Sequence, residues 1–362
     1  MGEIYGNSSS LHYFGREALK YVNEARNSIA SQFNALPSEI FFTSGGTESD
    51  NWAIKGVAHN SKQKTKHIIT SKIEHPAVLE PCAMLEKEGV SITYLDVDKY
   101  GVIDIEQLKN SINDNTILVS VMFANNEIGT IQPIKEIGKI CKKEGVLFHT
   151  DAVQAIDTQK IDVNDLNIDL MSFSAHKFYG PKGVGALYKR SGVKIEPLIA
   201  GGHQERGERS GTTPVELIVG MAKALELCAK DRENINLKKI KIRDAFIDKV
   251  LTNIPHTYLN GHKTNRLPGN INISFEFIEG ESLLMMLDLA GIAVSSGSAC
   301  ASGSLEVSHV ISALGVKDEL SHSSIRFSMG KDTTMEEMDY VYEQLKIAVE
   351  RLRMLSPLYV ES

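Results

Sequence analysis

The sequence predicts an α/β protein: a mostly parallel β-sheet covered by helices on both faces, followed by a smaller α+β domain. Through the first two thirds of the 362 residues, short β-branched runs alternate with amphipathic stretches, as expected of strands buried on both faces. Near residue 231 the texture changes to one long charged helix and then to short strands and helices. The length is also more than one small core needs and suits two domains. The expected division is residues 1–230 and residues 231–362.

The elements follow in order. "EIFFTS" reads as a strand, "GTESDNWAIKGVAH" as the helix after it, "HIITSKIEH" as the next strand and "AVLEPCAMLEKEG" as its helix. "TILVSVMFA", "IKEIGKICKKEG" and "VLFHTDAV" repeat the strand–helix–strand alternation, and the strands "DLMSFSA" and "GVGALYKR" close it. "DRENINLKKIKIRDAFIDKVLTNI" contains no breaker and reads as a single helix, with the strands "NINISF" and "IAVSSG" and two further helices beyond it. No internal repeat or low-complexity tract interrupts the chain.

Bulk composition excludes several classes of function. Hydrophobic residues make up 42% and charged residues 23%, as in an ordinary globular protein. The balance of 39 basic and 46 acidic residues leaves a net charge of −7, which offers no footprint for nucleic acid. No apolar run reaches the roughly 18 residues of a membrane span, and no secretory leader is expected at the start. The four cysteines, Cys82, Cys141, Cys228 and Cys300, are far apart and form no CxxC pair, so neither a disulfide framework nor a zinc site is expected. A reducing cytoplasm is the expected location.

Six stretches could carry chemistry. In "FFTSGGTESDNWAIKG" a strand ends at Thr43, two glycines allow close backbone approach, and Thr47 stands at a helix start, where exposed N–H groups bind phosphate. A plain capped helix would show the same residues. "LFHTDAVQ" places Asp151 at a strand end, where an acid can cap a helix or pair with a protonated heterocyclic nitrogen. No HExxH, EF-hand or His/Cys set accompanies it to suggest a metal. "SKIEHPAV" puts His75 after another strand, and "SFSAHKFYGPKG" puts Lys177 where the chain leaves a fourth. Parallel strands bring such ends to one edge of the sheet. A phosphate cradle, an acid for a ring nitrogen and a lysine for an imine are together what pyridoxal phosphate requires. A nucleotide site fits less well: "GPKGVGALYKRSG" lacks the third glycine of the dinucleotide fingerprint and leads into a strand. "AVSSGSACASGS" sets Cys300 among small residues, a composition suited to a reactive, mobile cysteine, whereas Cys228 in "ALELCAKD" reads as structural. "SHSSIRFSMG" sets Arg326 among apolar residues, suited to a forked grip on a carboxylate or to a structural ion pair.

Over nearly its whole length the sequence resembles the cysteine desulfurases of the NifS/IscS type, pyridoxal-phosphate enzymes of fold type I. The resemblance rests on "YGNSSSLHYFGREA", "FTSGGTESDNWAIKG", "EHPAV", "NNEIGTIQP", "HTDAVQ", "SAHKFYGPKGVGALY", "GGHQERGERSGT", "SSGSACASGS" and "SHSSIRFSMG", in family order. It implies a seven-stranded sheet in the large domain. It also implies that Lys177 forms the Schiff base, Asp151 pairs with the pyridine nitrogen, Gln154 bonds the ring hydroxyl and His75 stacks on the ring. By the same resemblance Gly46, Thr47, Ser174 and His176 hold the phosphate, and Thr212 reaches the phosphate of a neighbouring subunit in a homodimer. Asn126 lies beside the cofactor, Arg326 takes the substrate carboxylate, and Cys300 accepts sulfur from L-cysteine as a persulfide, leaving alanine. Iron–sulfur scaffold proteins or tRNA-thiolation proteins are the implied sulfur acceptors, with Cys300 as a transient cluster ligand at most.

The chain also departs from the family pattern. Ser8 stands where proline is usual and Gly46 where alanine is common, and a glycine beside a phosphate is permissive. The family's leading segment, which lines the substrate side of the pocket, has no counterpart before Tyr5. The expectation is an intact cofactor site with slow cysteine turnover. Another enzyme of this class (an aminotransferase or selenocysteine lyase) and a low-activity sulfur-relay subunit remain open alternatives.

Overall fold

A computed structural model of the chain describes residues 4–296 and 307–359. The chain divides into two compact units. The first comprises Met1–Leu95, Asp104–Phe123 and Gln132–Arg232; the second comprises Asp96–Ile103, Ala124–Ile131 and Glu233–Ser362.

The first unit contains α1 (Tyr13–Gln32), β1 (Ile40–Thr43), α2 (Gly46–Asn60), β2 (His67–Ser71), α3 (Pro76–Lys87), β3 (Ser91–Leu95), α4 (Ile105–Ser111), β4 (Thr116–Ser120), α5 (Ile134–Glu144), β5 (Leu147–Asp151), β6 (Leu170–Ser174), β7 (Gly185–Lys189) and α6 (Val215–Lys230). Its seven strands form one sheet in the order β1-β7-β6-β5-β4-β2-β3. β7 runs antiparallel to both β1 and β6, and the remaining pairings are parallel. The sheet is therefore mixed, though mostly parallel. β2 and β6 are buried at every position and β5 at all but its first, which is why they read as continuous apolar runs. Against the sheet, α2 and α3 pack Trp52, Ile54, Val57, Val78 and Leu85 onto Ile68, Leu118 and Leu170, all 4% exposed or less. The order reverses between β4 and β2, so the carboxyl ends of β2, β4, β5 and β6 flank a topological switch point, where such sheets bind ligands.

Four elements of this unit escaped the sequence reading, one of them α6, whose stretch reads only as the setting of Cys228. α1 buries a stripe of small residues, Ala18, Val22, Ala25 and Ile29, between polar and exposed aromatic ones, and this gives a weak apolar signal. β3 is an edge strand, half-exposed along most of its length, so it carries no continuous run. The short α4 buries Leu108 alone. The direction of β7 was also missed, although the link Ala175–Val184 is too short for the usual helical crossover between parallel strands.

The second unit holds α7 (Arg232–Asn253), β8 (Thr257–Leu259), β9 (Asn270–Phe275), α8 (Gly280–Leu289), β10 (Ser295–Ser296), α9 (His309–Ala313), α10 (Asp318–Ser321), β11 (Ser324–Ser328) and α11 (Met335–Leu355). Its antiparallel sheet has the order β10-β11-β9-β8. Ile242 and Phe246 of α7, Leu283 of α8 and Leu345 of α11 close over Ile271, Ile273, Ile325 and Phe327 of the strands. α11 starts at a capping box, in which Thr334 accepts from the Glu337 N–H and the Glu337 carboxylate accepts from the Thr334 N–H. The two loops Asp96–Ile103 and Ala124–Ile131 pack with this unit, which places Asn126 in it rather than with the sheet of the first.

Candidate active site

In the first unit the sequence-predicted residues gather at the strand ends. Asp151 closes β5 and is 6% exposed; its Oδ1 accepts the Val153 N–H at 2.9 Å. Burial pushes its carboxyl up to about 6, against the opposing pull of the Val153 N–H and of the Lys177 ammonium. Lys177 is exposed and lies in a single 3₁₀ turn, Ala175–Phe178, directly after β6. Tyr179 ends that turn in the left-handed region at φ 64°, a conformation that costs a non-glycine residue about 1–2 kcal/mol. The chain thus turns sharply immediately after the lysine. Gln154 is half-buried, three residues beyond Asp151.

His75 has a structural task as well. It is the N-cap of α3, with Nδ1 accepting the Ala77 N–H at 3.0 Å and Pro76 occupying the first helical position. The cap fixes the plane of the half-buried ring and, in the neutral ring, leaves the proton on Nε2.

The start of α2 forms a cradle. Its N-cap is Gly45, which supplies no side-chain cap, so the first-turn N–H groups at Gly46 and Thr47 are left for another acceptor. Close packing explains the glycines: a Cβ on Gly46 would come within 2.8 Å of Val153 Cγ2, and one on Gly185 within 2.7 Å of Gly45 Cα. Ser174 Oγ lies 2.9 Å from His176 Nδ1, at the end of β6. Glu48 stands in the same first turn but does not compete for an anion's place. Its Oε2 accepts the Ser44 N–H, and Arg209 grips both oxygens at 2.7 and 2.9 Å. Burial would raise the Glu48 carboxyl, but the bonds from Arg209 and Ser44 outweigh it and hold the group below the usual range. Sequence reasoning missed Arg209; its place in "QERGERSGT" gave no sign that it meets a helix start far upstream. Uncapped N–H groups, a hydroxyl and an imidazole suit a phosphate, and Asp151 with Lys177 suits a pyridine aldehyde. The residues fit pyridoxal phosphate. Thr212 is exposed on this unit.

Beneath Asp151 lies a polar layer that the sequence did not announce. His149 Nδ1 meets Ser120 Oγ at 2.8 Å, and its Nε2 meets Ser172 Oγ at 3.0 Å. Burial holds this imidazole down to about 3, so it is neutral. Glu74 accepts from Ser71 Oγ and, with both oxygens, from the Met122 N–H; burial pushes it up to about 8.

In the second unit Arg326 is half-buried on β11. Its Nη1 donates to the Asn126 carbonyl at 3.0 Å, while its Nε is buried with no hydrogen-bond partner. Asn270 Nδ2 also donates to the Asn126 carbonyl. Glu127 accepts from Ser308 Oγ at 2.5 Å and is pushed up to about 7 by burial, with Arg326 and Ser308 acting in the opposite sense. A guanidinium with an idle, buried N–H is suited to a carboxylate.

Cys300 lies outside the described residues. Cys82 and Cys141 are buried, and burial pushes both thiols up to about 12. Cys228 on α6 is half-buried and donates to the Phe178 carbonyl at 3.4 Å. Among the described residues no cluster of His, Cys, Asp and Glu gathers to hold a metal ion, and no helix is long and apolar enough to cross a membrane.

The sequence matches the Aminotransferase class-V family over residues 2–341. It is 55% identical to a cysteine desulfurase IscS of Methanosarcina thermophila over 358 residues, covering 99% of this chain and 88% of that protein. A cysteine desulfurase IscS of Dictyoglomus turgidum is 54% identical over 98% of this chain and 90% of its own length. Among solved structures, a NifS-like protein superposes with a TM-score of 0.90 at 41% identity, covering 97% of this chain and 93% of that one. SspA in complex with cysteine superposes at 0.81 with 36% identity, over 92% and 93% of the two chains.

Proposed function

The chain belongs to the class V aminotransferase family and is a pyridoxal-phosphate-dependent cysteine desulfurase, and from that premise we propose how its residues divide the work. Lys177 carries the covalent link to the cofactor and, once freed as an amine, takes the α-proton of L-cysteine on Nζ. Asp151 serves as the anion that keeps the ring nitrogen protonated, Gln154 bonds the ring hydroxyl, and His75 lies against the ring. Gly46, Thr47, Ser174 and His176 hold the phosphate. Bound there, pyridoxal phosphate supplies the electron sink for the pair left on the substrate Cα. Arg326 takes the substrate carboxylate, and Asn126, whose carbonyl Arg326 already grips, lies beside the ring. The Cys300 thiolate attacks the substrate sulfur: the Cβ–S bond breaks, an S–S bond forms on Cys300, and alanine leaves after protonation.

The observation that carries this reading is the convergence of Asp151, Lys177 and the uncapped start of α2 at the strand ends of one unit. The sulfur then passes to an acceptor protein, an iron–sulfur scaffold or a tRNA-thiolation partner. The working form is a homodimer in which Thr212 reaches the phosphate of a second copy. Supporting that reading, Tyr5, Leu11, Tyr13 and Phe14 are exposed near one another, the Phe14 ring lying 5.5 Å from both tyrosine rings.

The test is alanine and sulfide release from L-cysteine with a thiol reductant present. The native chain should release both, and Cys300→Ser should release no sulfide above background. Lys177→Ala should lose the adduct that borohydride traps. Trapping at another lysine, or full turnover by Cys300→Ser, would refute these assignments.

A further inference from the structure

The polar layer under Asp151 poses a problem of charge. Asp50, on the first turns of α2, is 1% exposed; Glu74 and Asp151 are buried close enough to act on it electrostatically. The cation that acts on Asp151 is Lys177. His149 supplies no second positive charge, because its ring is neutral. Its Nε2 lies 3.6 Å from Asp50 Oδ1, too long for a hydrogen bond and, with a neutral ring, not an ion pair. Asp151 and Glu74 both act on Asp50 within this dry layer, so a charge on Asp50 would bear the cost of burial and of like-charge neighbours together.

The hydrogen bonds point to where a proton sits. Ser120 and Ser172 occupy the two ring nitrogens of His149. One consistent orientation runs from the Ser120 hydroxyl to Nδ1 and from Nε2–H to Ser172 Oγ, which leaves His149 no proton directed at Asp50. Asp50 Oδ1 is left buried with no hydrogen-bond partner. An ionised carboxylate in that place would be buried without a hydrogen bond on this oxygen, whereas a neutral carboxyl needs no counter-charge.

We propose that Asp50 is a positioning residue that holds a proton in the resting enzyme, which leaves the negative charge at the strand ends to Asp151. The proposal rests on the reading of Asp151 as the partner of the ring nitrogen, since only an anion there keeps that nitrogen protonated. Burial, and secondarily the Asp151 charge, push the Asp50 carboxyl well above its ordinary value; the Glu74 charge acts in the same direction. The groups facing Asp50 are thus His149 and Asp151 on β5, Ser172 on β6 and Glu74 before α3, with Lys177 acting through Asp151.

Infrared spectroscopy of the holoenzyme at neutral pH tests the proposal. Aspartate isotope-labelled at its side-chain carboxyl carbon separates the carbonyl stretch of a protonated aspartic acid from that of a protonated Glu74. A label-sensitive band should be present in the native holoenzyme, persist when cofactor is removed, and disappear in Asp50→Asn. Absence of the band from the native holoenzyme, or its persistence in Asp50→Asn, would overturn the proposal. Should Asp50→Asn fail to fold, the native chain still decides: a band seen in the apoprotein and lost on cofactor loading belongs to Asp151 and not to Asp50. The reading of Asp151 is checked separately by the visible absorption of cofactor-loaded Asp151→Asn. If that matched the native protein, the Asp151 role would fail while the infrared band could still stand.

Discussion

At the scale of single residues, burial decides the chemistry of groups that look alike in the sequence. His149 and His75 both lie near strand ends, yet His149 is sealed under the sheet edge and neutral, whereas His75 caps a helix with its ring half-buried. His149 should therefore make the fold acid-labile. In the unfolded chain the imidazole titrates near its ordinary 6.5, and in the folded chain near 3, so between those values the unfolded state binds more protons. Stability then rises with pH across that window and falls on acidification, by up to about 1.4 kcal/mol per pH unit. Urea titrations at pH 5 and pH 7 should show the native chain losing about 2 kcal/mol more than His149→Gln on acidification; equal losses would mean that His149 is not kept neutral. The cysteines divide in the same way. Because burial pushes Cys82 and Cys141 up to about 12, iodoacetamide at mildly alkaline pH should leave both unmodified until denaturant is added, as peptide mapping would show.

At the scale of elements, the cofactor cradle is a junction of α2, β6 and β7 rather than a property of any one of them. Gly185 of β7 brings the strand's backbone against Gly45 at the mouth of α2, and a Cβ there would also come within 2.6 Å of the Phe173 carbonyl oxygen. Both obstacles are backbone and cannot swing aside. Gly185→Ala should cost about 1–3 kcal/mol of stability by overpacking and weaken pyridoxal-phosphate uptake by displacing the first turn of α2. Denaturant midpoints of the apoprotein and a cofactor titration read the two effects. A variant as stable and as tightly binding as the native chain would show that the close approach is not required. The contrasting case is Gly46, where the obstacle is one methyl of Val153, so a rotamer change can relieve it.

At the scale of the whole molecule, the assignment of Thr212 makes each active site depend on two copies of the chain. Lys177→Ala damages a site through its own subunit, and Thr212→Ala damages it through the neighbour. A heterodimer of the two variants has one site carrying both defects and one carrying neither. Unfolding and refolding an equimolar mixture should therefore yield more alanine per subunit than the mean of the two variants refolded alone. No gain on mixing would place Thr212 in its own subunit's site or outside the site altogether.

How much of this was legible in advance depended on how local the signal was. The strand runs of β2, β5 and β6, the helix start after Thr43 and the strand-end positions of Asp151 and Lys177 were readable, because two-sided burial writes a continuous apolar run and its end is marked by polar residues. The motifs likewise carried the family, since nine of them recur in order along the chain. The strand order, the antiparallel course of β7 and the assignment of the Ala124–Ile131 loop to the second unit are long-range facts with no local trace. So are the meeting of Arg209 with Glu48 and the layer of Asp50, Glu74 and His149 beneath Asp151. By itself the sequence determined which residues have chemistry to offer, because side-chain type and local period are written in it. Only the tertiary structure decided which of them are dry, paired or charged, because desolvation and Coulomb interactions depend on neighbours that chain order does not reveal.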